Sequence, residues 1–422
     1  MPKMARISSQ TLRSTLYVAV VMALVASGCE QENSGAAKAP NTEGPRAEVA
    51  AMLKERAAAL NAGDVEGYLR PLSPEARAFE EPIARGVLSV PLAGIDLTLG
   101  DAVVSLDENA MHNAIVNFIY RYRDLPEDNP FRIELVTALV RENDTWRITV
   151  SERSGGPPLP PWATGPVEMA RSPHLLALFR PHLGRVDEVL RLGEKAREAL
   201  LSKLTLEPDP VHLLVLAETP AEFRELSGAP GGIGAATVDY QETVAHPIRP
   251  ESRQMFIDVQ AVLDKPAQRL EFEGREDFTA VEVFQHELGH LALSRFDRPT
   301  TPGWVAEGGA MYLSGEQRSQ GWRSLVRENL LDRFSFVPLS DSPTLSPGLE
   351  YAYASAGSTY LIERFGVQQF WEFYRNFKDL SDQASEPSFG SKGARRILRR
   401  WFKIDLEDLD VHTRDWIRRA VG

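Results

Sequence analysis

The stretch Val283–Leu293 reads VFQHELGHLAL and places two histidines and a glutamate in an otherwise apolar run. The whole chain has eight histidines, and two of them, His286 and His290, stand here four residues apart. A charged or polar side chain is costly to bury unless another group pairs with it. The pattern therefore raises the question of what satisfies these three polar groups.

A helix explains the spacing. Residues 279–282, TAVE, form a capping-box pattern that starts a helix, and Arg298-Pro299 ends it. On that helix His286 and His290 lie one turn apart on the same face, where one tetrahedral Zn²⁺ can bind both imidazoles. Glu287 stands beside the first ligand and can act as a general base without binding the metal. One histidine on an apolar face is normally a satisfied core residue, but two at this spacing around a glutamate favour zinc.

A third ligand is expected on the next helix, within residues 304–312, WVAEGGAMY. Glu307 follows His290 by seventeen residues, and the small residues after it would let the two helices approach closely. The flanking apolar residues indicate that this helix packs inward, where an unpaired carboxylate would be costly. The alternative is a solvated glutamate on a surface helix.

The segments 286–290, HELGH, and 304–310, WVAEGGA, together resemble the gluzincin clan of zinc peptidases, in particular the bacterial peptidase MA-like domains. A metzincin would carry glycine and histidine at the positions of Leu293 and Phe296, so that class is excluded. The resemblance covers residues 173–422. It implies a small mixed sheet, zinc-bearing helices and a helical C-terminal part.

The same resemblance implies further site residues. A tyrosine within 351–366 would hydrogen-bond the oxyanion formed during hydrolysis; Tyr353 fits best and Tyr351 is the alternative, although either could be a core aromatic. A strand at 234–240 would bind the substrate as an additional β-strand. The exopeptidase motif of aminopeptidase N-like members has no equivalent here, so we expect an endopeptidase.

The preceding part of the chain predicts a second α+β domain. A helical pattern from Ala47 is followed by alternating apolar stretches, among them 114–122 and 131–140, which predict a curved antiparallel sheet. This order resembles the nuclear-transport-factor-2-like cone fold over residues 46–152. The resemblance implies a cone that can hold a small ligand; a spacer or substrate-presenting module is the alternative. The Pro/Gly-rich residues 153–172 predict a linker.

The N-terminus predicts a lipoprotein signal peptide, residues 1–28. It has a basic start and an apolar run at 14–26 that is too short for a comfortable membrane span. It ends before Cys29, the only cysteine, which resembles the acylated cysteine of a bacterial lipobox. Glu30 after it favours the outer membrane by the sorting rule of that class. An ordinary secretory signal is the alternative, and residues 29–45 predict a flexible tether.

Composition limits the partners. The chain of 422 residues has a net charge of −12, which disfavours nucleic acid and anionic lipid surfaces as partners. Membrane attachment would come from acyl chains on Cys29, and the expected partner is a peptide or protein substrate. Three hypotheses follow: a lipid-anchored zinc endopeptidase, a zinc-binding but non-proteolytic envelope scaffold, and a ligand-binding protein that acts through its N-terminal domain. The oligomeric state is left open.

Overall fold

The computed structural model describes residues 43–100, 105–106, 109–126, 130–154, 159–228, 235–239, 253–264, 269–272, 276–297, 301–316, 318–336, 347–379 and 392–422. Residues Thr42–Gly422 form one compact unit. The predicted signal peptide, Cys29 and most of the predicted tether lie outside the described residues. None of the helices in the described part of the chain combines the length and the apolar composition that a membrane span requires.

The N-terminal half of the unit is a helical layer on an antiparallel sheet. Its strands follow the order β1-β3-β4-β5, with the short β2 on β3. Asn143 and Asp144 have positive φ and form the tight turn between β4 and β5. The elements are α1 (Glu43–Asn61), α2 (Val65–Leu69), α3 (Pro74–Val87), β1 (Leu92–Leu99), β2 (Ser105–Leu106), β3 (Ala110–Tyr122), β4 (Phe131–Glu142) and β5 (Thr145–Arg153).

A second, mixed sheet follows, with strand order β6-β7-β8-β10-β9. Strands β7, β8 and β10 are parallel, and the edge strands β6 and β9 are antiparallel to their neighbours. The elements are α4 (Pro161–Thr164), β6 (Glu168–Arg171), β7 (Leu175–Phe179), α5 (Val186–Leu201), β8 (His212–Ala217), α6 (Pro220–Ser227), β9 (Ala235–Asp239) and β10 (Arg253–Asp258).

The remainder is mainly helical, after a short hairpin of β11 (Arg269–Phe272) and β12 (Glu276–Thr279). The protein is therefore an α+β protein with a mixed sheet and a helical C-terminal part, as the sequence predicts. The helices are α7 (Ala280–Leu293), α8 (Gly303–Ser314), α9 (Ser319–Arg327), α10 (Pro347–Phe365), α11 (Val367–Arg375), α12 (Lys392–Phe402) and α13 (Leu406–Val421).

Two apolar cores lie on opposite faces of the mixed sheet. Alternate residues of β7 and β8, such as Leu176 and Leu213, pack with the N-terminal sheet, whereas Leu175 and Leu214 pack with the helices that follow. Within the predicted linker, Trp162 is 1% exposed. Its indole Nε1 donates to the Tyr122 hydroxyl oxygen at 3.0 Å. Trp162 and its buried neighbours Pro161 and Ala163 therefore pack in the core on the N-terminal side, and β6 within the predicted linker is a strand of the mixed sheet.

One face of the N-terminal sheet is filled by aromatic side chains. Tyr120 packs against Tyr122, Phe131 and Trp162 with ring centroids 5.2–5.7 Å apart. This face of the N-terminal sheet therefore packs against other elements, among them the segment that carries Trp162. The nuclear-transport-factor-2-like interpretation and its ligand remain predictions.

Candidate metal centre

The helix that carries the two histidines begins as the sequence predicts. At the start of α7 the backbone N–H of Glu282 donates to Thr279 Oγ1 at 3.1 Å, and the backbone N–H of Thr279 donates to Glu282 Oε2 at 2.7 Å. This reciprocal capping box satisfies two of the backbone donors that a helix start leaves unpaired. The helix ends at Leu293, before the predicted stop, since Ser294 is already its C-cap. Arg298 and Pro299 lie outside the described residues.

Small residues let the next helices approach α7. A Cβ built on Gly289 would lie 3.2 Å from the Cα of Ala310 in α8, so the two backbones are in close contact. On the other side of α8, a Cβ on Gly308 would lie 1.9 Å from Ser358 Oγ in α10. The close approach of α7 and α8 agrees with the prediction from the run of small residues, and the contact of α8 with α10 was not predicted. They place Glu307 over the two histidines.

The three predicted ligands form a tight triangle. His286 Nε2 lies 3.1 Å from His290 Nε2, and Glu307 Oε2 lies 3.2 Å from the first and 3.3 Å from the second. Two ligand atoms about 2.1 Å from a tetrahedral zinc ion are separated by roughly 3.4 Å. The triangle therefore matches one face of a zinc tetrahedron, and two imidazoles with one carboxylate are a donor set of catalytic zinc sites. The residues fit a single Zn²⁺.

The electrostatics of the cluster favour a positive charge. Burial lowers the pKa of His286, but hydrogen bonds to Glu307 and Glu316 outweigh burial and raise the pKa to about 10. Burial likewise opposes the charge of Glu307, yet the two histidines hold the pKa of its carboxyl far below the usual range. Carboxylates that stabilise an imidazolium so strongly would also stabilise a divalent cation.

A second carboxylate, which the sequence analysis did not identify, orients the first ligand. Glu316 Oε2 lies 2.8 Å from His286 Nδ1, so the other ring nitrogen faces the cluster. Glu316 also pairs with Arg318. A carboxylate on the distal nitrogen of a metal-binding histidine fixes its tautomer and raises its basicity. Gly315, with φ +77°, ends α8 and turns the chain back toward His286, but no local pattern in the sequence names Glu316 as the partner.

Another buried pair supports the helix from the sheet side. Arg253 of β10 forms an ion pair with Asp297 and donates to the carbonyl oxygen of His290 at 3.4 Å. Tyr374 of α11 donates to the same carboxylate. These contacts tie the end of α7 to the mixed sheet and to the C-terminal helices. No local pattern in the sequence indicates these contacts, because each partner comes from a different part of the chain.

Glu287, the predicted general base, is half-buried beside His286. Its charge contributes to raising the pKa of His290 and, after Glu307 and burial, the pKa of Tyr351. The Glu287 carboxylate is therefore close enough to influence the charge of both His290 and Tyr351.

The two candidate tyrosines have different surroundings. The hydroxyl of Tyr353 donates to Asp410 Oδ1 at 3.0 Å, and its ring packs against Phe334 and Phe336. The hydroxyl of the preferred candidate is thus directed to α13, and the choice between the two tyrosines stays a prediction. Tyr351 is half-buried; the charge of Glu307, then burial, raises its pKa. The ring of Tyr351 lies 5.5 Å from the guanidinium carbon of Arg318, so Tyr351 is the tyrosine coupled to the cluster.

The described part of the predicted substrate strand is β9. It is an edge strand, antiparallel to β10, and packs against α7. Gly234 and Tyr240 lie outside the described residues. Among the described residues no strand pairs with the outer edge of β9, where a further strand could bind, and the role of β9 in substrate binding stays a prediction.

Comparison with known proteins gave matches among solved structures alone. No protein-family model matches the sequence. No curated protein matches it either. An M1 zinc metallopeptidase from Deinococcus radiodurans is 13% identical, with a TM-score of 0.32 over 67% of this chain and 58% of that chain. Native yeast LTA4 hydrolase is 14% identical, with a TM-score of 0.34 over 75% of this chain and 43% of that chain. The matches thus span about half the length of those proteins.

Proposed function

We propose that this protein is a zinc metallo-endopeptidase. The observation that carries the proposal is the triangle of His286, His290 and Glu307, with ligand atoms 3.1–3.3 Å apart. Glu287 stands next to it on the same rigid helix. A site that only bound zinc would have no use for a carboxylate in this position, which favours hydrolysis over the scaffold alternative.

The residues divide the chemistry among them. Zinc held by the three ligands would supply a Lewis acid that polarises a carbonyl group and lowers the pKa of a water molecule. Glu287 accepts the proton of the water that attacks the peptide carbonyl, and then delivers it to the leaving amine. The hydroxyl of Tyr351 donates a hydrogen bond to the oxyanion. Glu316, backed by Arg318, keeps His286 oriented throughout.

The substrate and the location form a separate part of the proposal. The free edge of β9 would hold an extended peptide by backbone hydrogen bonds, which suits cleavage within a chain. The sequence features around Cys29 place the enzyme on the cell envelope, held by acyl chains and directed to the outer membrane by Glu30. The substrate would then be a peptide or protein of the envelope.

The test uses the chain from Glu30 onward, which contains the whole compact unit. We expect it to contain one zinc ion and to cleave internal bonds in a mixed peptide library analysed by mass spectrometry. Glu287→Gln should keep the zinc but lose the cleavage by a factor of about 10³ or more, since it removes the base and leaves the ligands. Zinc in both proteins without cleavage by either would support the scaffold alternative. Absence of zinc from the purified parent, with no uptake on titration, would refute the site.

A further inference from the structure

Helix α12 has a charge pattern unlike the rest of the protein. Residues 392–403, KGARRILRRWFK, contain six basic side chains and no acidic one, in a chain with a net charge of −12. Its apolar side is buried in the core through Ala394, Ile397, Leu398 and Phe402. The helix therefore lies flat on the body of the protein and directs basic residues outward.

In the described part of the chain, acidic neighbours pair with only part of this charge. Arg395 binds Glu407 with nitrogen–oxygen distances of 2.6 and 2.8 Å, and Arg399 binds Asp405. Both partners lie at the start of α13, on one side of α12. Counting the three acidic residues found up to Asp408, residues 392–408 still have a net charge of +3.

The remaining charges form a stripe. Arg396 and Arg400 are four residues apart in α12, so they lie on one face of the helix, and Lys403 follows just after the helix end; all three are exposed. Lys403 Nζ donates to the carbonyl oxygen of Arg400, and this bond leaves its charge in place. A stripe of this kind can attract an anionic surface although the whole protein is acidic, because salt screens charges beyond about 10 Å.

We propose that the face formed by Arg396, Arg400 and Lys403, here called the basic stripe, docks on the anionic phospholipid headgroups of the membrane that anchors the protein. The choice of lipid rests on the proposed anchor at Cys29 and is independent of the peptidase chemistry. Thirteen residues, 30–42, separate that anchor from α1. They can span at most about 45 Å, so headgroups would stay within reach of the anchored body. The stripe would then orient the body on the surface, a role that net charge alone did not predict.

The test uses the chain from Glu30, without acyl groups, and co-sedimentation with two kinds of vesicle. One is an equal mixture of phosphatidylglycerol and phosphatidylcholine; the other is pure phosphatidylcholine. We expect binding to the anionic vesicles only, decreasing with added salt. The double variant Arg396→Gln/Arg400→Gln should bind roughly 25-fold more weakly, or about fivefold for each charge removed.

A matched control removes two charges at the same spacing elsewhere. Arg191→Gln/Lys195→Gln changes two exposed residues of α5 and should bind like the parent. Equal binding of the parent to both vesicles, or equal loss in the two double variants, would overturn the proposal. So would binding to soluble polyglutamate but to neither vesicle, which would indicate an acidic protein partner. Zinc content and peptide cleavage, measured in the same samples, report separately on the metal centre.

Discussion

His286 is held at both of its ring nitrogens. Nε2 faces His290 and Glu307, and Nδ1 lies 2.8 Å from Glu316. Because the side chain of Glu316 is 6% exposed and also pairs with Arg318, its carboxylate has little freedom to leave the histidine. A ligand fixed in this way reaches the metal without first losing rotational freedom.

Replacement of Glu316 should therefore weaken the metal site without removing a ligand. We expect Glu316→Gln to raise the dissociation constant for zinc by about 10- to 100-fold, measured by competition with a chelating dye. Glu225→Gln, at an exposed position of α6, serves as the control and should not change the affinity. Equal affinities in the parent and Glu316→Gln would contradict the orienting role.

The two tyrosines give a second pair of matched variants. Tyr351→Phe should lower kcat by about 10²- to 10³-fold with unchanged zinc content, because it removes a donor to the oxyanion. Tyr353→Phe should leave kcat within a few-fold of the parent. It should instead lower the free energy of unfolding by about 1–3 kcal/mol, since Asp410 would lose a buried hydrogen-bond donor. The reverse result, a loss of kcat in Tyr353→Phe alone, would restore the assignment made from the sequence.

Small residues set the distances between α7, α8 and α10. At Gly308, the helix that carries Glu307 has Ser358 on its opposite side, and Ser358 is fully buried. No rotamer change of a long side chain could make room there, since the atoms in contact are the Oγ and Cβ of serine and the carbonyl oxygen of Ala354. The position of the third ligand thus depends on a contact made one residue away from it.

A methyl group at Gly308 should force α8 and α10 apart. We expect Gly308→Ala to lower the free energy of unfolding by about 1–3 kcal/mol in urea titrations, with weaker zinc binding. Adding Ser358→Gly should recover part of both losses, because it removes the two nearest atoms. The control is Gly44→Ala in α1, where the added Cβ meets nothing within 4 Å and should cost nothing measurable. If Gly308→Ala unfolded at the same urea concentration as the parent, the close packing of α8 and α10 would be refuted.

The mixed sheet lies between two apolar cores. Its central strands carry buried side chains on both faces, one set facing the N-terminal sheet and one facing the helices of the metal centre. Polar groups enclosed by this sheet are correspondingly far from water. His212 of β8 is 4% exposed, and burial lowers its pKa to about 3, with Arg197 and His174 adding to the effect and Glu194 opposing it.

His212 should make the fold sensitive to acid. Its pKa is about 3 in the folded chain, against an ordinary value of 6.5, so the unfolded chain binds one more proton between these values. Stability should be unaffected above pH 6.5 and should fall as the pH drops below it, by about 1.4 kcal/mol per pH unit. At pH 5 this amounts to about 2 kcal/mol.

The measurement compares the parent with His212→Phe in urea titrations at pH 7 and pH 5. The absolute stability of the variant does not matter, because only the change with pH is used. We expect the decrease in the parent to exceed that in the variant by about 2 kcal/mol. Parallel decreases in the two proteins would mean that His212 takes up its proton in the folded state as easily as in the unfolded one.

Local sequence determined much of the candidate metal centre. The capping box, the histidine spacing and the small residues of the next helix act within one or two helical turns, and each was found where it was predicted. The α+β class of the N-terminal part also follows from patterns that repeat along a single element, whereas the mixed sheet and the helical C-terminal part were expected from the resemblance to the gluzincin clan. Such features depend on the period of the backbone, which is the same in every protein.

Tertiary structure alone decided which distant groups meet. Glu316 reaches His286 across 30 residues, Asp410 takes the Tyr353 hydroxyl across 57, and Arg253 supports the carbonyl of His290 from a strand. The linker expected from proline content is partly buried in the core between the N-terminal sheet and the mixed sheet. The physical reason is the same in each case: a side chain's partner is set by how elements pack, and packing depends on the shape and volume of the whole core. A sequence pattern can indicate that a buried polar side chain requires a hydrogen-bond partner, but it does not identify which residue that partner is.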